Sequence, residues 1–202
     1  MARHSFATLA GALAALAVVA PAGAQPSSGS SAQGAALAAR VSAAYQRVPG
    51  VKSSARVGLT ALAFTQTLHG GVVTAEQFEG GTAGSGTTTL IGVQGSPTYR
   101  RQSGATCWRA LPTSDPQTLT DLGHPFLSAL TGQAGITVAA PQRTLAGWVL
   151  TLRQGRAALV LTVTRSYLIT AVTATKPGQA IERLTIRNLA RTPPLLAPRP
   201  LC

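Results

Sequence analysis

Few side chains in this 202-residue sequence could do chemistry, and each can be judged from its neighbours. The five acids are Glu76, Glu79, Asp115, Asp121 and Glu182. Paired-carboxylate catalysis needs two acids close together in an enclosed site. Glu76 and Glu79 flank a Gly-rich loop, Asp115 in Ser114-Asp115-Pro116 stands where a helix cap belongs, and Glu182 falls in the last hairpin. His69 and His124 stand alone, with no His or Cys at ligand spacing, so no metal is expected. The segment "GGTAGSGTTT" lacks the Lys that would reach a phosphate, and Ser85 has Ala83 where the nucleophile elbow G-x-S-x-G requires Gly. The inventory points to a non-enzymatic protein with no cofactor.

The remaining reactive pair is Cys107, beside Trp108, and Cys202 at the end of the sequence. Their meaning depends on compartment. Residues 1–24 combine a basic start, an apolar run and the small triplet Ala22-Gly23-Ala24, the parts of a secretory signal peptide cleaved after Ala24. No Cys lies near that site to carry an acyl anchor. A secreted, periplasmic or cell-envelope location follows as the expectation. In an exported protein two cysteines most economically form one disulfide, with free thiols or an intermolecular bond as the alternatives. A Cys107–Cys202 bond would pin the proline-rich tail, residues 190–202, across the rest of the fold, with Trp108 in the core rather than stacked on a ligand.

Charge is sparse but lopsided, 17 Lys+Arg against 5 Asp+Glu. Such a field favours anionic surfaces, such as lipid headgroups on a membrane. Nucleic acid is not expected as a partner, because the signal peptide removes the chain from it and no basic-aromatic module is present.

The elements that must position these residues fall into one domain, residues 35–189, behind a flexible leader at 25–34. Leu37, Val41, Ala44 and Val48 recur at helical spacing and predict an amphipathic helix over 35–48, ended by Pro49-Gly50. Beyond it, Thr, Val and Leu in short runs between Gly, Pro and Ser predict strands: Ser54–His69 as one long or broken strand, then Val72–Phe78, Thr87–Val93, Thr98–Gln102 and Thr106–Leu111, with a loop at Glu79–Gly86. A helical insert is predicted after Ser114, and a second piece over Pro125–Leu130. Four runs after Thr144, separated by turns short enough to join antiparallel neighbours, predict a closing meander. Trp148, Leu150 and Leu152 alternate on one face of it, as do Leu159, Leu161 and Val163.

This order and texture resembles the lipoprotein-carrier-like superfamily of bacterial envelopes, which includes outer-membrane lipoprotein carriers, sigma-factor regulators and mycobacterial lipid-binding lipoproteins. The resemblance is carried by "AALAARVSAAYQRVPGVKSSARV", "TTTLIGVQGSPTYRRQSGATCWRAL" and "GWVLTLRQGRAALVLTVTRSYLITAVTA". It implies an α+β fold: a curved antiparallel β-sheet forming a half-barrel, with an N-terminal helix and a mid-chain helical insert. It also implies that lipid, or the acyl chains of an acylated protein, binds inside. Trp148, Leu150, Leu152, Leu159, Leu161 and Val163 are then candidates for an apolar lining, or else they pack a dry core. Arg100, Arg101, Arg183 and Arg187 would be available to anionic headgroups. A protein-interaction or sensor domain on the same scaffold, without lipid cargo, is the alternative.

Overall fold

The computed structural model describes residues 30–82, 84, 86–115, 117–119, 136–175 and 182–202. Helix α1 spans Ala32–Tyr45, three residues earlier at each end than its apolar stripe suggests. Ser31 is the reason, because its side chain caps the helix by accepting from Gly34 N–H at 2.9 Å. The helix thus begins inside the stretch expected to be a flexible leader, and Ser31 N–H is tied to the Val138 carbonyl.

Twelve strands follow: β1 (Gly50–Val57), β2 (Thr60–His69), β3 (Val72–Thr82), β4 (Thr87–Val93), β5 (Tyr99–Gln102), β6 (Arg109–Ala110), β7 (Ile136–Val138), β8 (Gln142–Arg143), β9 (Gly147–Gln154), β10 (Ala157–Thr164), β11 (Ile169–Thr175) and β12 (Glu182–Leu189). They form one open antiparallel sheet in the order β6-β5-β4-β3-β2-β1-β12-β11-β10-β9-β7, with β8 also on β9. The long strand expected over Ser54–His69 is instead a hairpin, β1 and β2, turning at Gly58 with φ 58°, a backbone that glycine adopts without strain. Strand β3 also runs on to Thr82 and takes half of the expected loop. Asp115 Oδ1 accepts from Gln117 N–H, as a cap would. Gln117–Leu119 is nevertheless a turn, since Leu119 N–H goes to Thr98 Oγ1 instead of a helical carbonyl. The remainder of the expected helical insert lies outside the described residues.

One buried cluster joins Leu37, Ala38, Val41 and Tyr45 of α1 to strands from β7 (Val138) to β3 (Val73). Eight flat strands would span about 34 Å, whereas a helix of this length is about 21 Å long. The sheet therefore curls around the helix as a half-barrel. At its centre the Tyr45 hydroxyl accepts from Ile169 N–H at 3.2 Å and donates to the Ile169 carbonyl at 3.5 Å. Burial pushes the Tyr45 phenol from 10.0 up to about 12, against the opposite pull of its hydrogen bonds with Ile169 and Asn188. Because the folded value is the higher one, stability is intact below pH 10 and lost as the unfolded chain ionises first. Between pH 10 and 12 denaturant melts should lose about 2–3 kcal/mol. Tyr45→Phe should abolish that slope and cost about 1–3 kcal/mol at neutral pH, because Ile169 N–H is left buried without its acceptor.

Candidate functional site

Strand register sorts the side chains onto two faces, because directly opposed residues point the same way and neighbours along a strand alternate. On the helix side one row reads Leu150, Leu161, Val172, Leu184, Ala55, Leu62, Gly80, Thr88 across β9 to β4. The next row reads Ile186, Ser53, Phe64, Phe78, Leu90, Arg100, Arg109. Both rows are apolar for most of their length, and the second ends in two cations at the β5–β6 edge. Arg100 is held there by the Gln117 side-chain oxygen at 2.9 Å.

Helix α1 divides these rows. Of the six residues expected to line a cavity, Leu150, Leu152, Leu161 and Val163 lie fully buried in the cluster that contains α1, with Leu150 0 % exposed. Trp148 and Leu159 are half-buried against that cluster. Trp148 stacks on Tyr167 with ring centroids 5.1 Å apart, and Arg40 sits over Tyr167 at 5.6 Å, so these three close one margin of the helix–sheet seam. Leu62, Phe64, Phe78 and Leu90 belong to neither of the two buried clusters. The two phenyl rings meet at 5.0 Å and remain half-buried. This patch, bordered by half-buried Val172 and Leu184, is the apolar part of the inner face outside the α1 cluster. The alternation of Leu62 and Phe64 on β2 was the signal for it, hidden by reading two strands as one.

The opposite face carries the strap that the cysteines close. Cys107 and Cys202 are bonded, with Cα atoms 5.3 Å apart. The tail runs back across the sheet as a strap: Thr67 Oγ1 donates to the Pro193 carbonyl, and a Cβ on Gly50 would come within 2.6 Å of the Pro193 ring. Trp108 N–H then donates to the Pro200 carbonyl, and Cys202 N–H to the Trp108 carbonyl. Trp108 is buried with Ile91 and Tyr99 and carries Arg101 over its ring at 4.5 Å, so it is a core residue as expected. The four arginines expected to act together are therefore split. Arg100 lies on the helix face; Arg101, Arg183 and Arg187 lie on the strap face.

Among the described residues Glu76 and Glu79 do not form a carboxylate pair. Glu76 is buried and accepts from the Gln66 amide, whereas Glu79 is exposed on the opposite face beside Gln77. Among the described residues no three His, Cys, Asp or Glu side chains gather where a metal could sit.

No family model matches the chain, and no curated protein is similar to it. Among solved structures, LprF from Mycobacterium bovis superposes with a TM-score of 0.51 at 12 % identity, over 87 % of this chain and 100 % of that one. The resemblance to the lipoprotein-carrier-like superfamily is one of fold. MucB, alone and in complex with MucA(peri), aligns more loosely. The complex matches at TM-score 0.44 and 16 % identity over 83 % of this chain; MucB alone matches at 0.45 and 14 % over 86 %. The matched region spans 59 % and 65 % of those two chains. The half-barrel with its N-terminal helix agrees with what the sequence implied.

Proposed function

We propose that this is a non-catalytic cell-envelope protein that binds lipid, or the acyl chains of an acylated protein, on the inner face of its half-barrel. The observation that carries the reading is the patch Leu62, Phe64, Phe78 and Leu90, which is apolar, faces inward and lies outside the cluster that contains α1. Aliphatic and phenyl surfaces suit acyl chains, because each CH2 removed from water contributes about 0.8 kcal/mol without needing a directional partner. Arg100 and Arg109 at the end of the row suit an anionic head on the same ligand. The fold shared with LprF supports the reading, and the signal-peptide-like sequence of residues 1–24 supports the location.

Native mass spectrometry of the purified protein, followed by displacement of a fluorescent fatty acid, tests it. Bound lipid or micromolar displacement is expected, and Phe64→Ser and Phe78→Ser should each weaken binding about tenfold. A protein that emerges empty and ignores both fatty acids and phospholipids would overturn the proposal.

A further inference from the structure

The strap face carries a second feature, independent of the cargo reading. Lys52 stands directly opposite Arg187 across the β1–β12 pair, and Ser54 opposite Thr185. One more step of the same register brings Arg56 beside Arg183, and both line one open trough of about 710 Å³ with Ser54, Ala61, Ala63, Thr185 and a single acid, Glu79. All four cations are exposed. Glu79 lines the same trough and hydrogen-bonds Gln77, and among the described residues no ion pair joins it to any of the four. Like charges directly opposed on a sheet destabilise it. Here the sequence sets two such pairs about 13 Å apart on neighbouring strands, with the opposed Ser54 and Thr185 between them.

Two exposed leucines lie on the elements that carry and cross this face. Leu59, at the tip of the β1–β2 hairpin three residues from Arg56, is 76 % exposed, and Leu196 on the strap that crosses this face is also 76 % exposed. A soluble polyanion would satisfy the cations but has no use for the leucines. A phospholipid surface uses both, since phosphates meet the cations and the Leu side chains enter the boundary of the acyl region.

We infer that the strap face docks on a membrane rich in anionic phospholipid, with Lys52, Arg56, Arg183 and Arg187 on headgroup phosphates and Leu59 inserted beside them. The cargo face then points away from the bilayer.

Flotation of the purified chain with vesicles tests the docking. The wild-type chain should float with phosphatidylglycerol and phosphatidylcholine in equal parts and should be left behind by phosphatidylcholine alone. Each cation is worth about fivefold, so Lys52→Gln with Arg187→Gln, and separately Arg56→Gln with Arg183→Gln, should weaken binding about 25-fold. Removing opposed like charges should leave the thermal melt unchanged or raised, which certifies the fold of both variants. Leu59→Ser should weaken vesicle binding while leaving fatty-acid displacement untouched, and Phe78→Ser should do the reverse. Equal binding to the two vesicle types, or wild-type binding by both charge variants, would overturn the inference. So would binding to soluble polyphosphate as tight as to vesicles and indifferent to Leu59→Ser.

Discussion

Replacing Cys107 and Cys202 together by Ser is expected to lower the midpoint of thermal unfolding by roughly 10–20 °C. The bond joins residues 95 apart, and in the chain-entropy account a closed loop of that length contributes about 4–5 kcal/mol by restricting the unfolded chain. Little else holds the strap's end. Its last backbone contacts are the two hydrogen bonds of Trp108 that make up the bridge with Leu201, at the sheet edge where β6 has only two residues. Freed, the end of the strap would uncover Trp108, Tyr99 and Ile91, so tryptophan emission should move to longer wavelength before global unfolding. Because the strap and the cargo patch lie on opposite faces, fatty-acid displacement below the new midpoint should stay within twofold of the wild-type value. Calorimetry and fluorescence on the double variant check both parts. An unchanged midpoint would mean that the tail is held by its own contacts and that the bond adds nothing.

The sorting of side chains onto the two faces was only partly legible in the sequence. The hairpins β9–β10 and β10–β11 could be read directly, because Trp148, Leu150 and Leu152 alternate against Leu159, Leu161 and Val163 across short turns. The cysteine pair could be read from its count and from the expectation of export. Local chemistry hid other features. Gly58-Leu59 is not a usual hairpin dipeptide, so β1 and β2 merged into one strand. Ser31 caps a helix whose first residues, Ala32–Gly34, look like the leader before them. Whether the six named residues line a cavity or pack a dry core was not legible, and the reason is non-local. The inner rows are similarly apolar from β9 to β4, and which half belongs to the helix cluster depends on two things. One is the β1–β12 pairing, between residues more than a hundred positions apart; the other is the crossing of α1 over strands β7 to β3. Neither has a signature in a short window. The charge quartet was missed for the same cause, since Lys52 and Arg187 become neighbours only through that pairing.

Leu150→Ala should therefore act on stability and hardly at all on cargo, the opposite of Phe78→Ser. Leu150 is among the most completely buried large side chains, in the same cluster as Val41 and Tyr45 of α1 and directly opposite Leu161 on β10. Truncating it removes three carbons from a site walled on one side by a hydrogen-bonded sheet and on the other by a helix held through Tyr45, so the surroundings can close only partly over the gap. Leu→Ala at such sites costs about 2–5 kcal/mol, the upper end where collapse is restricted, and the upper end is expected here. Phe78 is half-buried and outside that cluster, so its loss should cost less in denaturant melts while weakening fatty-acid displacement about tenfold. Urea titration and ligand displacement on the two variants, measured well below the lower midpoint, separate the roles. If Leu150→Ala instead lost cargo affinity with its stability intact, the ligand would have to enter between α1 and the sheet, and the helix would be a gate rather than a wall.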